Sequence, residues 1–269
     1  MTDLSKASRA AEQAAYAAGT HLQASRSQIA AVLVTHKSPE DVVRAIDQQA
    51  LELIRDVVLK HFPEHGFVGG HADAKAQIEA AAMLDDGRPH WIVDPIDGIV
   101  NYLRGYPQYA VSIAFVELGE PRIGVIYDPC RNEFFGAIHG RGAVLNGMTI
   151  RRAEGRPPIE SMAATVFPQP GNPRMPVYMA ELGRVLRNFG GVRRSGSMAL
   201  ELAYLAAGRI DAFWEHDKSS CDAAAGIVLV RESGALLHAR DGRSMLTSRS
   251  LMGCTPKLFE PFLSLLAEP

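Results

Sequence analysis

The pattern of apolar and polar positions divides this chain into a helical opening, an antiparallel middle and an alternation of strands and helices. Residues 3–25 are alanine-rich and amphipathic and predict a helix. Ile29 to Thr35 is short and apolar, which predicts a strand. Ser38 and Pro39 stand as cap and first helical residue, and a helix is expected to about Lys60. His61 to Gly66 reads as a turn and Phe67-Val68 as a short strand. The polar and alanine-rich stretch 69–89 predicts a loop with a helical turn series around 76–84.

Apolar runs at Trp91 to Val93, Ala110 to Leu118, Pro121 to Tyr127, Glu133 to Ile138 and Ala143 to Leu145 predict strands. Gly119-Glu120 and Asn146-Gly147 separate them as turns, the second with hairpin chemistry. The proline-rich segment 155–175 marks a boundary between halves at 1–150 and 151–269. Beyond it the expected order is strand Ala163 to Phe167, helix Pro176 to Phe189, strand Gly191 to Arg194 and helix from Ser197 ending at Gly208. A strand to Trp214, a helix from Asp222 and a strand Ala235 to Leu237 follow, which suggests an α/β layer. Tyr102 and Trp214 are expected in the core, and Met83, Met148, Met162 and Met252 as core or gap filler.

One strand runs into chemistry. Trp91-Ile92-Val93 is followed by Asp94-Pro95-Ile96-Asp97-Gly98. Pro95 fixes φ and is expected to end the ladder, leaving Asp94 at the strand's carboxyl end. Gly98 allows positive φ, and the amides after it suit an anion. Carboxylate oxygens are preferred ligands of Mg²⁺, which is usually held by one or two carboxylates with water and phosphate. Taken alone, the pattern reads more readily as an Asx-type turn, with Asp94 capping and Asp97 solvated. A third carboxylate, Asp222, heads the small-residue run Ala223-Ala224-Ala225-Gly226, where it could also serve as a helix cap. Glu215 stands seven residues before it at the end of a strand.

Together these segments resemble the inositol monophosphatase family of Mg²⁺-dependent, lithium-sensitive phosphatases. Trp91 to Tyr102 matches its first metal signature, Cys221 to Gly226 with Glu232-Ser233-Gly234 its second, and Gly196-Ser197-Met198-Ala199-Leu200 the segment between. The resemblance runs from about Lys37 to Gly234 in the same order. It implies a mixed α/β fold, a layered αβαβα sandwich of the inositol monophosphatase and fructose-1,6-bisphosphatase type. It implies that Asp94, Asp97, Asp222 and the Ile96 carbonyl bind Mg²⁺, and that Gly98 and Ile99 offer amides to phosphate. It also implies that Gly196 and Ser197 line the substrate pocket, that Glu215 meets a substrate hydroxyl and that Asp47 lies near the attacking water. The implied activity is phosphomonoester hydrolysis of a small polyol, sugar or nucleotide by metal-activated water, in a homodimer. Bacterial family members can also partner the transcription machinery, which makes a regulatory or binding protein the alternative.

Three positions depart from the family pattern. Gly70 stands where the family has a metal-bridging glutamate, Ile99 where it has a water-orienting threonine, and Arg44 where a further threonine is usual. Losing a positioned acid–base group costs about 100- to 10,000-fold, so weakened activity is expected. Restoring Gly70→Glu and Ile99→Thr is expected to raise it. His71 or Asp73 could substitute as ligand or base, against the plainer reading of a solvent-facing loop. Met198 is expected to reshape the pocket, and Arg193 and Arg194 lie close enough in sequence to meet an anionic substrate, whereas Arg151-Arg152 reads as surface.

Composition narrows the classes further. A net charge of −2 without a basic stripe does not indicate extended nucleic-acid binding. No apolar run reaches membrane-spanning length and the first residues lack a secretory signal. Three scattered cysteines, Cys130, Cys221 and Cys254, suggest free thiols in a cytoplasmic protein.

Overall fold

The computed structural model describes residues 1–35, 39–70, 87–150, 155–168 and 170–267, with no side-chain detail for residues 28, 30–35 and 39. The expected helical turns at 76–84, the candidates His71 and Asp73, Met83 and the Arg151-Arg152 pair lie outside the described residues.

Five layers stack across the molecule. The outer layer is α1 (Leu4–Thr35) and α2 (Pro39–His61). Their apolar stripes cover one face of a seven-stranded sheet in chain order: β1 (Gly66–Gly69), β2 (His90–Asp97), β3 (Ala110–Glu117), β4 (Glu120–Asp128), β5 (Glu133–Ile138), β6 (Ala143–Leu145) and β7 (Met148–Thr149). Among the described residues only β1 and β2 pair in parallel there. A short helix, α3 (Ile99–Arg104), follows β2. The central layer is α5 (Met198–Ala206) with α6 (Ser220–Glu232). The second sheet takes the order β11 (Leu236–Ala239), β12 (Ser250–Cys254), β10 (Ala212–His216), β8 (Met162–Thr165), β9 (Gly191–Arg193). Its far face is closed by α4 (Met175–Asn188) and α7 (Phe259–Leu266). This is the expected αβαβα sandwich. β12 and α7, which the sequence reading left unassigned, complete its last two layers.

Strand alternation explains the layering. In β2 the side chains of Trp91 and Val93 enter the core under α1 and α2, while Ile92 enters the core shared with α5 and α6. In β10 Phe213 faces α5 and α6, while Ala212 and Trp214 face α4 and α7. Both helices of the central layer are therefore apolar nearly all round. Every residue of α6 from Ala223 to Val230 is buried.

Four expectations are corrected. The segment Ile29 to Thr35 is not a strand but the last two turns of α1. Ile29 continues the stripe of Ala11, Ala15, Ala18 and Leu22 into the same core, and this outweighs local β propensity. Pro95 does not end β2. The pairing steps from Asp94–Ser112 to Asp97–Ala110, three residues against two, so Pro95 sits at a bulge and the strand resumes. Met148 is exposed rather than core filler, since it lies on the β6–β7 hairpin tip. Asp222 is not the cap of α6; Ser219 is, and its Oγ accepts from the Asp222 amide at 3.2 Å. Tyr102, Trp214 and Met252 are buried as expected.

One close approach positions the second acidic motif. A Cβ on Gly124 of β4 would lie 2.2 Å from the backbone oxygen of Ala225 in α6. Neither strand nor helix has a flexible end to give way there. Gly124→Ala is expected to cost about 3 kcal/mol or more, as overpacking against fixed backbone does, read as a lower denaturation midpoint at an unchanged slope.

Candidate active site

After the β2 bulge the Asp97 side chain meets the amino end of α5. There its Oδ2 accepts from the Ser197 hydroxyl at 2.5 Å and from the Ala199 amide at 2.7 Å. Ser197 also caps α5, its Oγ accepting from the Leu200 amide at 3.3 Å. A helix amino end is a favourable place for a carboxylate. Burial and the charge of Asp222 nevertheless push the Asp97 carboxyl well above its ordinary range, against the pull of those hydrogen bonds.

The glycines at this junction are dictated by backbone contact. Gly98 has φ 100°, and a Cβ there would lie 2.9 Å from the Gln108 oxygen and 3.3 Å from the Gly196 oxygen. Gly196 has φ 88° and packs against Asn101. Asn101 joins the two segments, its Nδ2 donating to the carbonyls of Gln108 at 2.7 Å and Ser195 at 2.8 Å. The segment Asp94 to Gly98 and the entry to α5 are thus joined as one unit.

A cavity of about 150 Å³ opens beside this unit, lined among others by Asp97, Gly196, Met198, Glu215, Lys218 and Asp222. Carboxylates more than a hundred residues apart therefore face one space, and Met198 is part of its lining. Asp222 extends from the first turn of α6, with its Oδ1 accepting from Ser219 Oγ at 2.6 Å. Glu215, on β10, is buried and its Oε2 has no hydrogen-bond partner among the described residues. Burial first, then Asp222 and Asp217, push its carboxyl up to about 9. Burial, then Asp94 and Asp222, push the Cys221 thiol up to about 12.

The other expected residues lie around the cavity rather than in its lining. Asp94 is buried, its Oδ1 accepting from the Ile96 amide at 3.0 Å. The Ile96 side chain is in the core. Asp47 is buried on α2, which packs on β2 and α3. Ser197 is fully buried and given over to Asp97 and the α5 cap. Ile99 packs toward the core of α1 and α2, so its side chain holds α3 down. Gly70 has φ 91°, a conformation in which a glutamate would be strained.

His216 is buried and also lines the cavity. Its Nε2 meets Glu181 Oε2 at 2.6 Å, and Arg240 donates to Glu181 Oε1 at 2.7 Å. Sequence reasoning missed Glu181, Arg240 and Lys218. The only signal for Lys218 was its place in the short link between Glu215 and Asp222; its burial is a tertiary fact.

The donor set fits a hard cation. The charge of Asp222 raises the proton affinity of Asp97 across the cavity, and a divalent ion between the two carboxylates would relieve that repulsion. Among the described residues no three His, Cys, Asp or Glu side chains converge as a ready cage. The fit is thus to an ion held by few protein ligands.

Fold and site define a layered α/β protein with an acidic cavity between its two sheets. Residues 3–267 match the model of the inositol monophosphatase family, and the chain belongs to that family. It is 36% identical over 231 residues to "Nus factor SuhB" of Pasteurella multocida, covering 86% of this chain and 84% of that one. It is 36% identical over 222 residues to inositol-1-monophosphatase of Rhizobium meliloti, covering 82% of this chain and 81% of that one. Among solved structures, the extragenic suppressor protein suhB of Bartonella henselae superposes with TM-score 0.83 at 31% identity, over 97% of this chain and 98% of that one. Among the described residues no helix is long and apolar enough to cross a membrane.

Glu215 supplies a test of the site's electrostatics. Its folded-state pKa is raised, so between about 4.5 and 9 the folded protein holds a proton that the unfolded chain releases. Stability attributable to Glu215 is therefore present at low pH and lost as pH rises through that window. With chelator present, Glu215→Gln should gain stability over wild type from pH 5 to pH 9, at up to about 1.4 kcal/mol per pH unit. Urea titrations across that range measure it; parallel pH profiles would show Glu215 to be ordinarily ionised.

Proposed function

We propose that this chain is a Mg²⁺-dependent phosphomonoesterase acting on a small phosphorylated polyol, sugar or nucleotide. The observation that carries the reading is the meeting of Asp97, Glu215 and Asp222 at one cavity. In this reading Asp94, Asp97 and Asp222, with the Ile96 carbonyl, hold Mg²⁺, whose charge would screen the ester phosphate and make water more acidic. The resident groups do the positioning. Ser197 and the Ala199 amide hold Asp97 Oδ2, which leaves Oδ1 for the ion. Gly98 and Ile99 begin α3, whose first amides have no acceptor within the helix and offer hydrogen bonds to phosphate. Gly196 keeps the cavity wall low beside Asn101. Glu215, buried in the cavity lining, is placed to hydrogen-bond a substrate hydroxyl. Asp47 is the remaining carboxylate toward the attacking water. The family habit of dimerising is carried over to this chain as part of the same proposal.

A second reading is a regulatory or binding protein that keeps the fold with little turnover. It is favoured by the apolar Ile99 and side-chain-free Gly70, and by relatives named as Nus factors, in Pasteurella multocida and Escherichia coli among others. In such a protein the partner would belong to the transcription machinery.

A Mg²⁺-titrated screen over phosphate monoesters separates the two. Asp97→Asn is expected to lower kcat by 100-fold or more, roughly the cost of a positioned ionised group. Ile99→Thr is expected to raise kcat by roughly tenfold, a cautious part of the same range. The φ of Gly70 makes Gly70→Glu the poorer rescue, with a loss of stability accompanying any gain in rate. A flat screen with a native circular-dichroism spectrum would favour the regulatory reading.

A further inference from the structure

The turn between Glu215 and Asp222 is built under strain. Asp217 has φ 94°, a left-handed conformation that suits glycine. It is held there by three contacts. Its amide donates to the Arg249 carbonyl at 2.5 Å, its Oδ1 pairs with the Arg249 guanidinium, and its Oδ2 accepts from Asn172 Nδ2 at 3.0 Å. The Lys218 amide donates to the same Arg249 carbonyl at 3.1 Å. The result is that Glu215 and Lys218, on either side of the turn, line the same cavity.

Lys218 is 5% exposed. Its Nζ donates to the Leu246 carbonyl at 3.1 Å, one of the three hydrogen bonds an ammonium can make. Asp222 and Asp241 lie near enough to favour its charge, and its two remaining hydrogen-bond valences are open to an anion in the cavity. Burial pulls its pKa down to about 8, which still leaves it charged at neutrality. At the rim, Arg194 lies over the Phe167 ring at 5.1 Å, and Phe167 also lines the cavity. Beside them the Glu215 Oε2 is buried without a partner among the described residues.

We infer that Lys218, assisted by Arg194 at the rim, recognises a second anionic group on the substrate. The preferred substrates are then compact phosphate esters that carry a further phosphate or a carboxylate. The inference rests on the phosphatase reading for the identity of the first phosphate. The scissile phosphate lies toward Asp97 and Asp222, a hydroxyl meets Glu215, and the second anion meets the ammonium. A charge-assisted hydrogen bond of this kind is worth about tenfold or more in selectivity.

The test compares kcat/KM for fructose 1,6-bisphosphate, 3-phosphoglycerate and glycerol 2-phosphate with Mg²⁺, in wild type, Lys218→Met and Arg194→Gln. Wild type is expected to favour at least one of the two doubly anionic esters over glycerol 2-phosphate by about tenfold; which one identifies the second group as phosphate or carboxylate. Lys218→Met should abolish that preference and Arg194→Gln should reduce it. If wild type hydrolyses none of the three, the phosphatase reading fails separately. The subsite is then decided by calorimetric titration of the same esters, with the same tenfold difference and the same dependence on Lys218 expected. If Lys218→Met does not fold, the wild-type preference and its reduction in Arg194→Gln decide. No preference in wild type, or a preference untouched by either variant, overturns the inference and leaves Lys218 as an internal counter-ion of Asp222.

Discussion

The site depends on one buried carboxylate, Asp97, held by a hydroxyl and an amide at the start of a helix that follows it by a hundred residues. That pair of hydrogen bonds joins the first sheet to the central helical layer. The bulge at Pro95 exists in the same cause. An uninterrupted ladder would return Asp97 to the alternation of the strand, whereas the extra residue carries it to α5. Asn101 then secures the other side of the junction by binding the carbonyls of Gln108 and Ser195. Gly98 and Gly196 are glycines because backbone passes within touching distance of both.

Asp222 arrives by a different route. It rides on α6, whose small residues let the helix sink onto the first sheet until Ala225 touches Gly124. Glu215 comes on β10, in the middle of the second sheet. The cavity is therefore the seam where the sheets and the central helices meet, and its acidic lining is a product of packing. Its electrostatics follow from burial. Carboxylates kept from water and facing one another favour either protons or a cation, and this is why a single environment raises both Asp97 and Glu215.

Much of this was legible beforehand. The strands of the first sheet follow from alternation and turn residues, and the Asn146-Gly147 hairpin forms with both residues at positive φ. The two acidic signatures and the Gly196 segment carry enough family pattern to give the fold, and the structure brings Asp97, Gly196, Glu215 and Asp222 to one cavity. Less was legible where local preference and tertiary context disagree. Ile29 looks like a strand residue and is helical because α1 has further core to cover. Pro95 looks like a terminator and is a bulge because β3 continues alongside. Ser197 looks like a pocket residue, yet its hydroxyl is committed to Asp97.

The amino-acid order alone determined most of the element types, the layered class and the short-range chemistry. Those depend on periodicity, turn residues and contiguous motifs, which act within a few residues of chain. Only the tertiary structure decided which polar groups lose water together. It buried Lys218 and Glu215 across from Asp222, linked Glu181, His216 and Arg240, and packed Ile99 against the core. Desolvation and charge coupling are properties of neighbours in space, and those neighbours come from segments the chain keeps far apart.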